Sequence, residues 1–146
     1  AAEIGCGGGR VAAEVAPHVA SLTCLDVSPK MLQRAQAELA GADNVSFRLL
    51  SGGKVAAGAH AAAVGAPPRL PEDMTGACDF VYCFDVLVHV DLHVQYAYYR
   101  DVRRLLKSGG KAFFSTANLL SPGGWPRFEA QRKFTVGGFY CECASL

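Results

Sequence analysis

The feature that most constrains this chain is a glycine-rich turn over residues 3–10, E-I-G-C-G-G-G-R, which follows a short apolar segment. Gly5, Gly7 and Gly9 lack Cβ atoms, so a ligand can approach the backbone and the turn can adopt positive φ angles. A second apolar segment ends at Asp26, roughly 20 residues after Gly5, where nucleotide-binding folds place a carboxylate beside a ribose diol. The pattern predicts an α/β fold with a nucleotide-type cofactor site.

The spacing of the glycines separates two cofactor classes. A dinucleotide fingerprint G-x-G-x-x-G that starts at Gly5 requires glycine at position 10, where this chain has Arg10. The observed spacing is E-x-G-x-G-x-G, with Glu3 before the first glycine. Together with L-D-V-S-P-K-M-L over residues 25–32, this segment resembles the first two motifs of the class I S-adenosylmethionine-dependent methyltransferases.

The resemblance to this family extends along most of residues 1–117. Residues 79–90 are similar to the family's fourth strand and the loop after it, and residues 105–111 are similar to the turn before its fifth strand. The resemblance implies an α/β fold with an open, doubly wound, mostly parallel twisted sheet. It also implies S-adenosyl-L-methionine as the cofactor.

The resemblance implies one set of cofactor-binding residues, namely Glu3, Gly5, Cys6, Gly7, Gly9, Asp26, Val27, Met31, Ser51, Cys83 and Phe84. In this set Glu3 lies beneath the turn and orders it, and Asp26 receives the ribose hydroxyls. Val27 and Met31 cover one face of the adenine, and Ser51 stands where the family often has an acidic residue for the adenine amino group. The alternative for Asp26 is a helix-capping role.

The catalytic residues stay unknown at this level, because methyl transfer from a sulfonium depends mainly on holding the acceptor in line with the methyl carbon. Asp85 and His89 are the candidates for a general base, and a structural role is the alternative for His89. No metal site is predicted, since the close pair Cys141 and Cys143 has no histidine or second cysteine pair nearby.

The charge of the chain bears on its partners. A net charge of +1 and a charged fraction of 18% supply no electrostatic argument for nucleic acid or an anionic membrane. The expected acceptor is a small molecule or a glycan-type compound. The cysteines are expected to be reduced in a cytoplasmic protein, and the oligomeric state stays open.

Residues 1–146 are interpreted as a single methyltransferase domain. Gly, Ala and Pro make up 13 of the 17 residues at 52–68, which predicts an unpacked insertion. Residues 118–146 are expected to be irregular, and no final strand pair is recognisable there. The chain is therefore interpreted as a fragment incomplete at both ends and of marginal stability.

Two other functions remain as alternatives to an active methyltransferase. The first is a non-catalytic or truncated remnant of the fold. The second, less favoured, is an NAD-dependent oxidoreductase. Arg10 argues against it, and so does the lack of a recognisable catalytic tyrosine–lysine or cysteine–histidine set.

Two helices and the last strand are predicted from residue spacing. Ser28 caps the first helix and Pro29 takes its first position, with an apolar stripe of Met31, Leu32, Ala35 and Leu39. The second helix has an apolar stripe at spacings of three and four, formed by Leu92, Tyr96, Tyr99, Val102 and Leu106. A turn at 108–110 is predicted to precede a strand at 111–117.

Overall fold

The computed structural model describes residues 1–50, 69–90, 92–118 and 120–130. The described strands are β1 (Ala2–Ile4), β2 (Leu22–Asp26), β3 (Val45–Leu49), β4 (Cys78–Cys83) and β5 (Leu106–Phe114). The described α-helices are α1 (Arg10–Val15), α2 (Pro29–Glu38), α3 (Leu92–Leu105) and α4 (Gly124–Ala130). The insertion predicted at 52–68 lies outside the described residues, as do residues 131–146 of the predicted irregular segment. The described part of that segment contains α4, which the sequence did not predict.

The five described strands form one sheet in the order β3-β2-β1-β4-β5, and every neighbouring pair is parallel. This confirms the predicted α/β, doubly wound architecture. The strand order reverses between β1 and β4, and in such sheets ligands bind in the crevice at the carboxyl ends of the strands at that point. Ile4 pairs with both Leu25 and Cys83, so the three central strands end at the same edge.

Both faces of the sheet are covered by helices, which produces two buried clusters. On one face α3 packs against a cluster that includes Ile4, Leu25, Val81, Tyr98, Val102 and Leu105. On the other face α1 and α2 pack against a cluster that includes Ala12, Leu22, Cys24, Leu32, Ala35 and Tyr82. Successive residues of β4 contribute to opposite clusters, as the two-residue period of a strand requires.

The start of α2 confirms the predicted cap and corrects the predicted stripe. The Ser28 hydroxyl accepts a hydrogen bond from the Met31 N–H at 3.4 Å, and Pro29 occupies the first helical position. Leu32 and Ala35 are buried, but Met31 is 38% exposed. Met31 lies in the first turn, one residue before Leu32, so it falls at the edge of the stripe that faces the sheet.

The predicted apolar stripe of α3 is confirmed at Val102 but lies one position too late at Tyr96 and Tyr99. Tyr96 and Tyr99 are exposed, whereas the helix buries Gln95, Tyr98, Val102 and Leu105. The side-chain amide of Gln95 donates to the carbonyl oxygens of Leu87 and Val90, each at 3.0 Å. Because these bonds satisfy the amide, a polar residue can occupy a buried helical position.

The predicted turn at 108–110 lies within β5 in the structure. Leu106 pairs with Cys78 and Lys111 pairs with Phe80, so β5 carries extra residues opposite β4. Gly109 has φ +78° at this irregularity, a conformation that glycine adopts without steric cost. The strand therefore begins five residues earlier than predicted and ends three residues earlier, at Phe114, and the glycines interrupt it.

Among the described residues, no helix combines the length and the apolar character that crossing a membrane requires.

Candidate functional site

The glycine turn leaves β1 at the carboxyl edge of the sheet and is fixed to the end of β2. The N–H groups of Gly5 and Cys6 both donate to the Leu25 carbonyl oxygen, at 2.7 and 3.1 Å. The turn closes on itself where the Gly9 N–H donates to the Cys6 carbonyl oxygen at 3.0 Å. These bonds bring the turn into the crevice where the strand order reverses.

The three glycines at 5, 7 and 9 all have left-handed φ angles but differ in their surroundings. A Cβ atom at Gly5 would overlap the side chain of Val86, and one at Gly9 would lie 3.1 Å from the Ala35 Cα. No atom lies within 4 Å of the Cβ position at Gly7. Gly5 and Gly9 therefore permit close packing, whereas Gly7 leaves open space above the turn for a ligand.

Asp26 ends β2 and holds the glycine turn to the start of α2. Its carboxylate is buried and accepts hydrogen bonds from the N–H groups of Gly7 and Ser28, each at 2.8 Å. Neither bond goes to an N–H group of α2 itself, because Ser28 is the residue that caps this helix. The two hydrogen bonds use different oxygens of the carboxylate. Because a carboxylate has about four lone-pair sites, two of them remain available. Asp26 therefore retains capacity for the ribose hydroxyls implied by the resemblance.

Glu3 is buried beneath the turn, with 2% of its surface exposed. The Tyr82 hydroxyl of β4 donates to its Oε2 atom at 3.2 Å. Burial raises the pKa of Glu3 to about 7, the Tyr82 hydrogen bond partly offsets this rise, and the charge of Asp26 adds to it. The carboxyl group is thus attached to the neighbouring strand, and it titrates near neutral pH.

The raised pKa of Glu3 predicts a pH-dependent stability. Between pH 4.5, the ordinary carboxyl value, and about 7, the folded chain holds a proton that the unfolded chain has released. The free energy of unfolding should therefore fall as pH rises through this interval, by on the order of 3 kcal/mol. In Glu3→Gln this fall should disappear, which urea denaturation at pH 5, 6 and 7 would show. An unchanged slope in the variant would assign the dependence to another group.

The residues predicted to contact adenine are only partly described. Val27 and Met31 are both exposed on the rim beside Asp26, so their side chains are open to a ligand. Leu50 is buried, and its N–H donates to the Asp26 carbonyl oxygen at 2.8 Å. Ser51 lies outside the described residues.

The remaining predicted residues lie at or after the carboxyl end of β4, the strand that pairs with β1. Cys83 is fully buried, and burial raises the pKa of its thiol to about 12. Phe84 is 44% exposed, and its ring stacks on Phe113 with the centroids 6.5 Å apart. Asp85 and His89 are exposed in the segment that follows. The structure therefore gathers the ends of β1, β2 and β4 around one crevice.

Three polar residues near the crevice were missed by sequence reasoning. Tyr82 binds Glu3, Gln95 binds the turn after β4, and the Ser115 hydroxyl accepts from the Asp85 N–H at 2.6 Å. Tyr82 lies in the segment that resembles the family's fourth strand, Gln95 lies in a helix predicted from apolar spacing, and Ser115 lies in a predicted strand. None of these patterns indicates a polar contact. Their partners are set by the strand order, which the residues alone do not reveal.

The described ranges bring no three His, Cys, Asp or Glu side chains into a group that could hold a metal ion. The four described cysteines, Cys6, Cys24, Cys78 and Cys83, are free and buried. A hydrogen bond with Cys24 and burial raise the pKa of the Cys6 thiol. The thiols of the crevice therefore stay protonated and are weak nucleophiles.

Comparisons with known proteins agree with this geometry. Residues 2–112 match the family model described as a methyltransferase domain. A ubiquinone biosynthesis O-methyltransferase of Xanthomonas oryzae is 32% identical over 117 residues, which are 80% of this chain and 42% of that protein. The chain thus spans less than half the length of the curated relatives it matches.

Two solved structures share the fold. An S-adenosylmethionine-dependent methyltransferase from Mesorhizobium loti is 27% identical, with a TM-score of 0.58 over 80% of this chain and 46% of that one. The Haemonchus contortus phosphoethanolamine N-methyltransferase 1, solved with phosphoethanolamine and S-adenosylhomocysteine, is 14% identical. Its TM-score is 0.61 over 80% of this chain and 22% of that one. The chain belongs to the methyltransferase domain family and has the class I, Rossmann-like fold of S-adenosylmethionine-dependent methyltransferases.

Proposed function

We propose that the chain is a single S-adenosylmethionine-binding domain that transfers a methyl group to a hydroxyl oxygen of a small-molecule acceptor. The observation that carries the proposal is the juxtaposition of the open space above Gly7 with the Asp26 carboxylate at the end of β2. The choice of oxygen rests on the O-methyltransferase name of relatives that are 32% identical. A small molecule is preferred to a glycan on the same ground.

Three groups of described residues support a position for the cofactor in this crevice. The backbone of the turn at Gly5, Cys6 and Gly7 would face its methionine portion, and Asp26 would accept hydrogen bonds from its ribose hydroxyls. Val27 and Met31 would cover one face of its adenine, since both side chains are exposed on the same rim. An apolar rim with a few directed polar groups is typical of a nucleotide-sized site.

The chain's own residues would hold the reactants in position and accept a proton. When bound, S-adenosylmethionine supplies an electrophilic methyl carbon on a positively charged sulfur. Asp85 and His89 are the candidates to accept the proton that the acceptor hydroxyl loses as its oxygen is methylated. The buried thiols of Cys6 and Cys83 do not compete as nucleophiles, because their raised pKa values keep them protonated.

Separate titrations with S-adenosylhomocysteine and with NAD test this function. We expect calorimetry to detect S-adenosylhomocysteine binding and no NAD binding. A labelled methyl group should then pass from S-adenosylmethionine to the hydroxyl group of a small-molecule acceptor. Binding without any transfer would favour a non-catalytic remnant of the fold, and NAD binding would favour the oxidoreductase alternative.

We also propose a cytoplasmic location. The support is that the four described cysteines are free thiols, as is usual in a reducing compartment. The proposed partner is the small-molecule acceptor itself, with neither nucleic acid nor membrane, since the formal net charge is only +1.

A further inference from the structure

Asp85 has an unusual backbone conformation at the edge of the crevice. Its φ angle is +60°, and among the described residues it is the one non-glycine residue with a positive φ. A left-handed conformation costs most L-residues roughly 1–2 kcal/mol, and aspartate is among the residues that adopt it more readily. Such a conformation persists only where surrounding contacts hold it, and these positions concentrate at functional sites.

Ser115 provides the contact that holds Asp85. The Ser115 Oγ atom accepts a hydrogen bond from the Asp85 N–H at 2.6 Å. The Ser115 N–H donates to the Cys83 carbonyl oxygen at 3.0 Å, which continues the β4–β5 pairing one residue beyond Phe114. One residue thus fixes both the end of β4 and the first turn residue after Phe84.

The far end of the same segment is fixed independently. Gln95 donates to the carbonyl oxygens of Leu87 and Val90, and the Val86 side chain occupies the space next to Gly5. The segment 85–90 is therefore held at both ends and packs against the glycine turn. Asp85 itself is exposed to solvent. The direction of its carboxylate therefore depends on the Asp85 backbone, which the hydrogen bond to Ser115 holds.

We propose that Ser115 is a positioning residue that directs the Asp85 carboxylate toward the hydroxyl group of the methyl acceptor. The assignment rests on the proposed function, because it needs an acceptor bound at the carboxyl end of β4. Ser115 does not touch the acceptor in this assignment. Its hydroxyl acts through the backbone of Asp85, and the Asp85 carboxylate makes the contact.

The test compares Ser115→Ala with Ser115→Thr, which keeps a hydroxyl, and with Ser46→Ala as the matched control. Ser46 also uses its hydroxyl in one hydrogen bond, to Thr23 at 3.1 Å, but lies exposed on β3 away from the crevice. In Ser115→Ala we expect amide exchange of Asp85 to accelerate roughly tenfold, the worth of one hydrogen bond. We expect kcat to fall roughly tenfold because the Asp85 carboxylate is misplaced, whereas the affinity for S-adenosylhomocysteine stays unchanged. Ser115→Thr should restore kcat, and Ser46→Ala should change none of these quantities.

The outcomes separate this assignment from the proposed function. Unchanged Asp85 exchange in Ser115→Ala, or faster exchange with unchanged kcat, would overturn the positioning role while cofactor binding stays intact. Equal loss of kcat in the alanine and threonine variants would also overturn it, because the hydroxyl would not matter. If the wild-type chain binds no S-adenosylhomocysteine, the proposed function fails and the assignment fails with it. Circular dichroism of each variant verifies that it is folded.

Discussion

The Gly5→Ala variant should lose on the order of 3 kcal/mol of unfolding free energy and bind S-adenosylhomocysteine at least about tenfold more weakly. The added methyl group would have to share space with the Val86 side chain, and alanine would have to adopt the φ angle of +70° that Gly5 has. Both changes push the turn away from the Leu25 carbonyl oxygen that fixes it. Urea denaturation and calorimetry measure the two effects.

Gly7→Ala is the matched control for this prediction. The φ angle of Gly7 is also positive, at +53°, but no atom lies within 4 Å of the position that a Cβ atom would take there. Gly7→Ala should therefore cost only the conformational part, about 1–2 kcal/mol. Adding Val86→Ala to Gly5→Ala should recover part of the lost stability. Equal losses in Gly5→Ala and Gly7→Ala would show that contact with Val86 contributes nothing.

The Asp26→Ala variant should weaken S-adenosylhomocysteine binding roughly tenfold or more, since a hydrogen bond to a charged group contributes about 1.5–3 kcal/mol. It should also lower the free energy of unfolding by about 1–3 kcal/mol, because the N–H groups of Gly7 and Ser28 would lose their acceptor. Calorimetry measures the first effect and urea denaturation the second.

Two comparison variants separate the two roles of Asp26. Asp26→Asn keeps one carbonyl oxygen as an acceptor but no charge, so it should retain more stability than Asp26→Ala. Asp79→Ala removes an exposed carboxylate that pairs with Lys107 at 2.8 Å, at the opposite end of β4, and should leave binding unchanged. Wild-type affinity in Asp26→Ala would exclude this residue from the ribose site and leave only its structural bonds to Gly7 and Ser28.

The parts of the fold that depend on neighbouring residues could be predicted from the sequence. The cap at Ser28, the first position of Pro29 and the turn at residues 5–9 each depend on groups within a few positions along the chain. The parallel sheet could also be predicted, because apolar strands alternating with helical patterns favour it. The position of the Asp26 carboxylate at the edge of the sheet could be predicted too, because Asp26 ends such a strand.

The contacts between distant residues could not be predicted in the same way. Glu3 and Tyr82 are 79 positions apart, and Asp85 and Ser115 are 30 apart. Which polar group meets which depends on the strand order and on register. The α3 stripe was wrong at Tyr96 and Tyr99 for a related reason. A period of three and four fits two adjacent sets of residues, and the backbone carbonyls that accept from Gln95 decide between them.

The central place of β1 has a consequence for the order in which the protein folds. β1 pairs with β2 across a short connection, but with β4 only after the 79 positions that separate Glu3 from Tyr82. Loop-closure entropy rises slowly with loop length, by about 0.6 kcal/mol per doubling, so a long connection reduces stability little. It slows folding instead, because distant contacts form late. As the chain emerges during synthesis, the β1–β2–β3 half of the sheet should therefore form first. Its open β1 edge is then exposed to pairing with other chains until β4 arrives.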